Sequence, residues 1–110
     1  MHFLVFRYAL SNIFSDKCIV FQATSISEAI NIVSGNNIDY ICSDYNLPDG
    51  TGIDFLIQLH NNGKHIPFVI ISANVNFSIE LEAKVYGALK VIEKTSWNFV
   101  ESLKNCFHIW

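Results

Sequence analysis

Ile41-Cys42-Ser43-Asp44-Tyr45-Asn46-Leu47-Pro48-Asp49-Gly50-Thr51-Gly52 is the stretch that decides the fold. An apolar run closes on one carboxylate, and a Pro-Asp-Gly turn follows at once. That order predicts Asp44 at the carboxyl end of a buried strand, the edge where open α/β sheets gather their chemistry. The plainer reading of an Asp beside such a turn is turn chemistry alone. Motifs elsewhere in the chain decide between the two.

Composition agrees with a buried sheet. Apolar residues make up 51% of the 110 residues and charged residues 15%. Strands covered on both faces of a parallel sheet read as continuous apolar runs and produce such a balance. A chain of this length forms one domain, residues 1–110, with room for a real core. The longest apolar run, Phe68 to Ala73, is far too short to span a bilayer. Phe3-Leu4-Val5-Phe6 has the look of a signal-peptide core, but Arg7 interrupts it, which favours a strand. A net charge of −3 offers no basic footprint for nucleic acid.

Cys18, Cys42 and Cys106 are odd in number and widely spaced. They suit buried thiols in a reducing, cytoplasmic setting better than a disulfide framework. His2, His60, His65 and His108 show no metal-ligand spacing.

Working outward, short apolar runs alternate with helical patterns. Strands are predicted at 2–8, 17–23, 38–44, 67–72 and 89–93, and helices at 26–34, 53–61, 78–86 and 97–107. Ser25-Ile26-Ser27-Glu28 reads as a capping box, and Gly35, Gly63 and Gly87 as helix stops. Ile53, Leu56 and Leu59 form one apolar stripe; Phe99, Leu103, Cys106 and Phe107 form another. Trp97, Phe99, Phe107 and Trp110 read as packing residues or, alternatively, as an aromatic interaction face. Five strands with intervening helices predict a doubly wound parallel sheet with right-handed crossovers.

The first crossover is short. Only Ala9 to Asp16 remain between the first two strands, and a parallel crossover normally needs about a dozen residues. Either the first helix is a stub of about two turns, or residues 3–14 are that helix and the first strand is lost. A stub leaves a sheet face open, which would favour a homodimer.

Three segments together resemble the receiver domain of two-component response regulators (CheY-like). They are Asp44 with Leu47-Pro48-Asp49-Gly50, then Pro67 to Ala73 with its terminal Ser72-Ala73, and Gly87-Ala88 followed by Lys94. The opening Met1-His2-Phe3-Leu4-Val5-Phe6 is also similar to the family's first strand. The resemblance implies a flavodoxin-like α/β fold with strand order 2-1-3-4-5. It makes Asp44 the phosphoacceptor, Ser72 and Lys94 its phosphoryl contacts, and a histidine kinase or other signalling protein the partner. A non-enzymatic signalling role follows.

The resemblance breaks at one place that matters. Receiver domains hold magnesium with an acidic pair after the first strand, and here Arg7 and Tyr8 stand there. Magnesium needs an octahedral oxygen shell that includes carboxylates. Asp44, Lys94 and Arg7 sum to about +1, and a unit-charge pair at 4 Å is worth on the order of 4 kcal/mol at an effective dielectric of 20. Magnesium would therefore bind weakly or not at all, with Asp44 and Asp49 as its only acidic ligands. Val91 replaces the family's fifth-strand aromatic switch residue, and Thr95 its proline. Two roles follow: a phosphorelay receiver using Asp44 with weak or no magnesium-dependent phosphorylation, or a phosphorylation-independent pseudo-receiver that binds proteins. An aspartyl phosphatase would need a second Asp where Asn46 stands.

Overall fold

The computed structural model describes residues 1–6, 18–95 and 98–107. The elements run β1 (His2–Val5), β2 (Ile19–Gln22), α1 (Ile26–Gly35), β3 (Tyr40–Asp44), β4 (Asn46–Leu47), β5 (Gly50–Thr51), α2 (Gly52–Asn61), β6 (Phe68–Ser72), α3 (Phe77–Val85), β7 (Lys90–Glu93) and α4 (Phe99–Phe107). Five strands form one parallel sheet in the order β2-β1-β3-β6-β7. This is the expected flavodoxin-like winding, 2-1-3-4-5 when only the sheet strands are counted.

The alternation of buried side chains explains why the sheet carries helices on both faces. Leu4, Ile41, Phe68 and Ile70 point to one side, where Ile26, Ala29 and Val33 of α1 and Ile53, Phe55, Leu56 and Leu59 of α2 pack. Phe3, Val5, Cys42, Val69, Ile71 and Ile92 point to the other, against Leu103 of α4. Successive residues of a strand face opposite ways, so a strand covered on both sides must be apolar throughout. Truncating Leu103, which is fully buried, would cost about 2–5 kcal/mol.

The first strand exists, so the alternative in which residues 3–14 form a helix without it is overturned. The pairing of His2 with Ile19 and of Phe3 with Tyr40 holds this segment extended between two neighbours. Strand β1 ends at Val5, short of the expected Tyr8. Arg7, Tyr8 and the short crossover lie outside the described residues, as do Trp97, Trp110 and the Phe107 side chain.

Two local readings needed correction. The Ser25 hydroxyl does cap α1, accepting from the Glu28 N–H at 3.1 Å, but the Glu28 carboxylate accepts from the N–H of Thr24, not Ser25. The reciprocal capping box sits at α2 instead, between Thr51 and Asp54. The Pro-Asp-Gly turn is also more than a turn, because β4 and β5 flank it as a short antiparallel ribbon.

Gly52 locks this ribbon to the sheet. A Cβ there would lie 2.6 Å from the Asp44 carbonyl oxygen and 3.2 Å from Ser43 Oγ. Backbone oxygen cannot yield as a flexible side chain can. Gly52→Ala should therefore destabilise the domain by about 1–3 kcal/mol. Gly35→Ala, with nothing within 4 Å of its added carbon, should be neutral or stabilise by up to about 1 kcal/mol. Thermal melts of the two variants side by side check this, and equal losses would refute the steric account.

Candidate functional site

Parallel strands share one carboxyl end, and three of them deliver the expected residues to it. Asp44 ends β3, Ser72 ends β6 and Lys94 follows β7 directly. The register pairs Asp44 with Ile71 and Ser72 with Glu93, so from Asp44 to Ser72 to Lys94 each lies one residue further along than the one before. Lys94 Nζ lies 3.9 Å from Asp44 Oδ1. The lysine is further fixed by its backbone, whose N–H donates to the Ser72 carbonyl at 2.9 Å. Asp44 and Ser72 are 8% and 6% exposed, enough for a small group to reach them and too little for bulk water to screen them fully.

The Ser72 hydroxyl donates to the Asn74 carbonyl at 2.8 Å and accepts from the Asn74 N–H at 3.3 Å. This small turn holds the oxygen at the sheet edge. Below the site, the fully buried Ser43 Oγ donates to the Asp44 carbonyl at 2.9 Å. Val91 is half-buried on the helix-side core and lines a groove of roughly 450 Å³ with Glu80, Ala83, Lys84, Leu89 and Lys90.

The Asp49 carboxylate is turned to the N-terminus of α1. Its two carboxylate oxygens accept from the N–H groups of Ile26 at 2.8 Å and Ser27 at 3.1 Å. Asp49 thus satisfies the first free N–H groups of α1 across a gap of 23 residues, complementing the cap from Ser25. The Ile26 bond is the main force holding its carboxyl below the ordinary 3.8.

Tyr45 was not anticipated by any motif. Its N–H donates to the Ile71 carbonyl at 2.8 Å, and its carbonyl accepts from the Gly52 N–H at 2.7 Å. Burial pushes the Tyr45 phenol above its ordinary value, and the charges of Glu82 and Asp54 add to the effect. Burial likewise raises the thiol of Cys42, with the Asp44 charge as the second cause. Cys42 is buried and Cys18 and Cys106 are half-buried, in keeping with packing thiols.

The family is decided at this point, since the response regulator receiver domain model matches residues 4–102. The chain belongs to the response regulator receiver domain family. Over 96 residues it is 32% identical to the glycerol metabolism activator of Pseudomonas putida, covering 84% of this chain and 43% of that protein. The chain therefore spans less than half the length of this curated relative. The non-phosphorylated HemR receiver domain of Leptospira biflexa is 27% identical, with 99% of this chain and 94% of that one covered and a TM-score of 0.83. The response regulator TrrA of Thermotoga maritima shares the fold at 18% identity and a TM-score of 0.80, with 99% and 98% covered. Receiver domains are two-component signalling modules that work with histidine kinases and other signalling proteins. Among the described residues, no helix is long and apolar enough to cross a membrane.

Asp49→Ala should lower thermal stability at neutral pH by freeing two helix N–H groups. The folded carboxyl titrates below 3.8, so its contribution is present above that value and is lost as pH falls through the folded one. The gap between wild-type and mutant melting temperatures should therefore close in acid. A gap that stays constant down to the lowest folded pH would show that the charge has no part in the cap.

Proposed function

We propose that this receiver domain signals chiefly through protein contacts and that its magnesium-dependent phosphorylation at Asp44 is weak or absent. One observation carries the reading: Asp44 faces the Lys94 ammonium at 3.9 Å, while Asp49, the nearest expected second acid, is committed to the α1 N-terminus. A magnesium ion asks for several oxygens, carboxylates among them. Among the described residues, no group of three His, Cys, Asp or Glu side chains is placed to hold a metal ion, and Arg7 and Tyr8 occupy the sequence positions of the family's acidic pair. These residues do not fit the magnesium site of the family. The TrrA structure is of a complex with magnesium and a beryllium fluoride.

Asp44, Ser72 and Lys94 still form an arrangement that can receive an anion. A phosphoryl group on Asp44 would have the Lys94 ammonium beside it, which is charge neutralisation of the kind phosphoryl transfer relies on. Phosphorylation without the metal is therefore the second reading, and the geometry of Asp44 and Lys94 favours it specifically.

The surface through which signalling would pass is α3 with the start of β7. Phe77 is 79% exposed, Val85 69% and Leu81 49%. At four-residue spacing they line one side of the helix, with Leu89 exposed and Tyr86 partly so beside them. An apolar stripe of that kind on a small domain marks a contact site. A homodimer or a partner protein would use it.

Magnesium titration followed by NMR should leave the Asp44, Ser72 and Lys94 amides unmoved at roughly millimolar concentrations, where weak hard-cation sites fill. A small-molecule phosphodonor should add little or no mass to the intact protein in the presence of magnesium. Asp44→Asn should lower stability by about 1 kcal/mol, through loss of a partly screened pair. A magnesium response at Asp44, or a phosphoryl adduct abolished by Asp44→Asn, would restore an ordinary phosphorelay receiver.

A further inference from the structure

His60 and His65 stand five residues apart, a spacing that neither a regular helix nor a strand brings to one place. The turn between them does so. Gly63 takes a φ of +74°. Its N–H donates to the His60 carbonyl at 3.0 Å, and the Lys64 N–H donates to the Leu59 carbonyl at 2.8 Å. This is the Schellman pattern of a helix C-terminus, in which a left-handed residue folds the chain back over the last turn. It returns His65 onto His60, with ring centroids 4.7 Å apart and planes inclined by 32°.

Helix α3 ends in the same way beside this pair. The Gly87 N–H donates to the Lys84 carbonyl at 3.2 Å and the Ala88 N–H to the Ala83 carbonyl at 2.9 Å. A Cβ on Gly87 would lie 3.2 Å from His60 Cε1, so the half-buried His60 ring touches Gly87 as well as the exposed His65. The carbonyl ends of α2 and α3 thus meet at one imidazole, and each carries the negative pole of its helix, which favours a cation. The separation of the rings is the one a shared metal ion requires. An imidazole nitrogen binds zinc at about 2.0–2.1 Å, so two imidazoles on one ion, at angles between a right angle and the tetrahedral one, have ring centroids about 4.5–5.2 Å apart. The torsion that turns each ring is soft, so the nitrogens can be turned to one ion while the backbone stays fixed.

We propose that His60 and His65 form a two-imidazole site for a late first-row divalent cation of the zinc, nickel and copper class, at the edge of the sheet opposite Asp44. Imidazole nitrogen selects these ions, whereas magnesium asks for oxygen. Water fills the remaining coordination positions, since no third His, Cys, Asp or Glu joins the pair among the described residues. Lys64 and Lys84 are exposed nearby, and their ammonium groups stay in water, where salt screens them. The site makes no use of Asp44 or of phosphate.

NMR on the whole chain without an affinity tag tests the site with Ni²⁺, whose unpaired electrons broaden nearby amides. Substoichiometric Ni²⁺ should broaden residues 60–65 and Gly87 before any others. Calorimetry with Zn²⁺ should give one ion per chain, with an affinity that falls in acid as protons compete for the nitrogens. His60→Gln and His65→Gln should each weaken binding on the order of a hundredfold, by turning a chelate into a single contact. His2→Gln should leave it unchanged, since the His2 Nδ1 already meets the Asn37 carbonyl at 2.9 Å. His65 is exposed and can be replaced without threatening the fold, so a His60→Gln that fails to fold leaves the test to His65→Gln. Broadening that begins elsewhere, binding that survives His65→Gln, or an equal response of these amides to Mg²⁺ would overturn the site. A magnesium response at Asp44 bears on phosphorylation alone and is read separately.

Discussion

The pairing of β3 between β1 and β6 is the constraint on which the rest of this domain depends. Strand β3 is the middle of five, hydrogen-bonded on both edges and apolar on both faces. Such a strand has no freedom to slip, because a shift of one residue would exchange Ile41 and Cys42 between opposite cores. Asp44 ends that strand and inherits its immobility. Lys94 and Ser72 meet it because β6 and β7 extend the same ladder, each ending one residue further along. The site is a consequence of sheet geometry before it is a matter of side-chain chemistry.

The turn after Asp44 shows how one short segment serves three ends at once. Asp49 caps α1, Thr51 and Asp54 cap α2, and Gly52 lets the backbone pass within contact of Asp44. Each is a local polar debt settled by a neighbour, since helix N-termini leave N–H groups that must find acceptors. The result is a rigid rim around one carboxylate and one lysine. Within that rim the Asp49 and Asp54 carboxylates are both turned to helix N-termini.

Helix α3 stands apart from this rigidity. Its Phe77, Leu81 and Val85 are turned outward and only Ala83 is buried, a division of labour that suits a signalling module. A site held firmly by the sheet stands beside a surface held loosely.

Much of this was legible in the chain. The apolar runs, the Pro-Asp-Gly turn and the three strand ends sufficed for fold, strand order and the meeting of Asp44 with Lys94, because period-two burial and parallel topology leave few alternatives. The extent of β1 was not legible, since an apolar opening followed by a short crossover suits a strand or a helix equally until pairing with β2 and β3 chooses. Nor were the partners of Asp49, Glu28 and Tyr45. A carboxylate in a turn has several donors within reach along the chain, and only tertiary packing brings the α1 N-terminus 23 residues back to it. Local residue pattern thus determined the sheet and its edge. Long-range contact alone decided which acids remain at that edge, because hydrogen-bond partners distant in sequence leave no periodic trace.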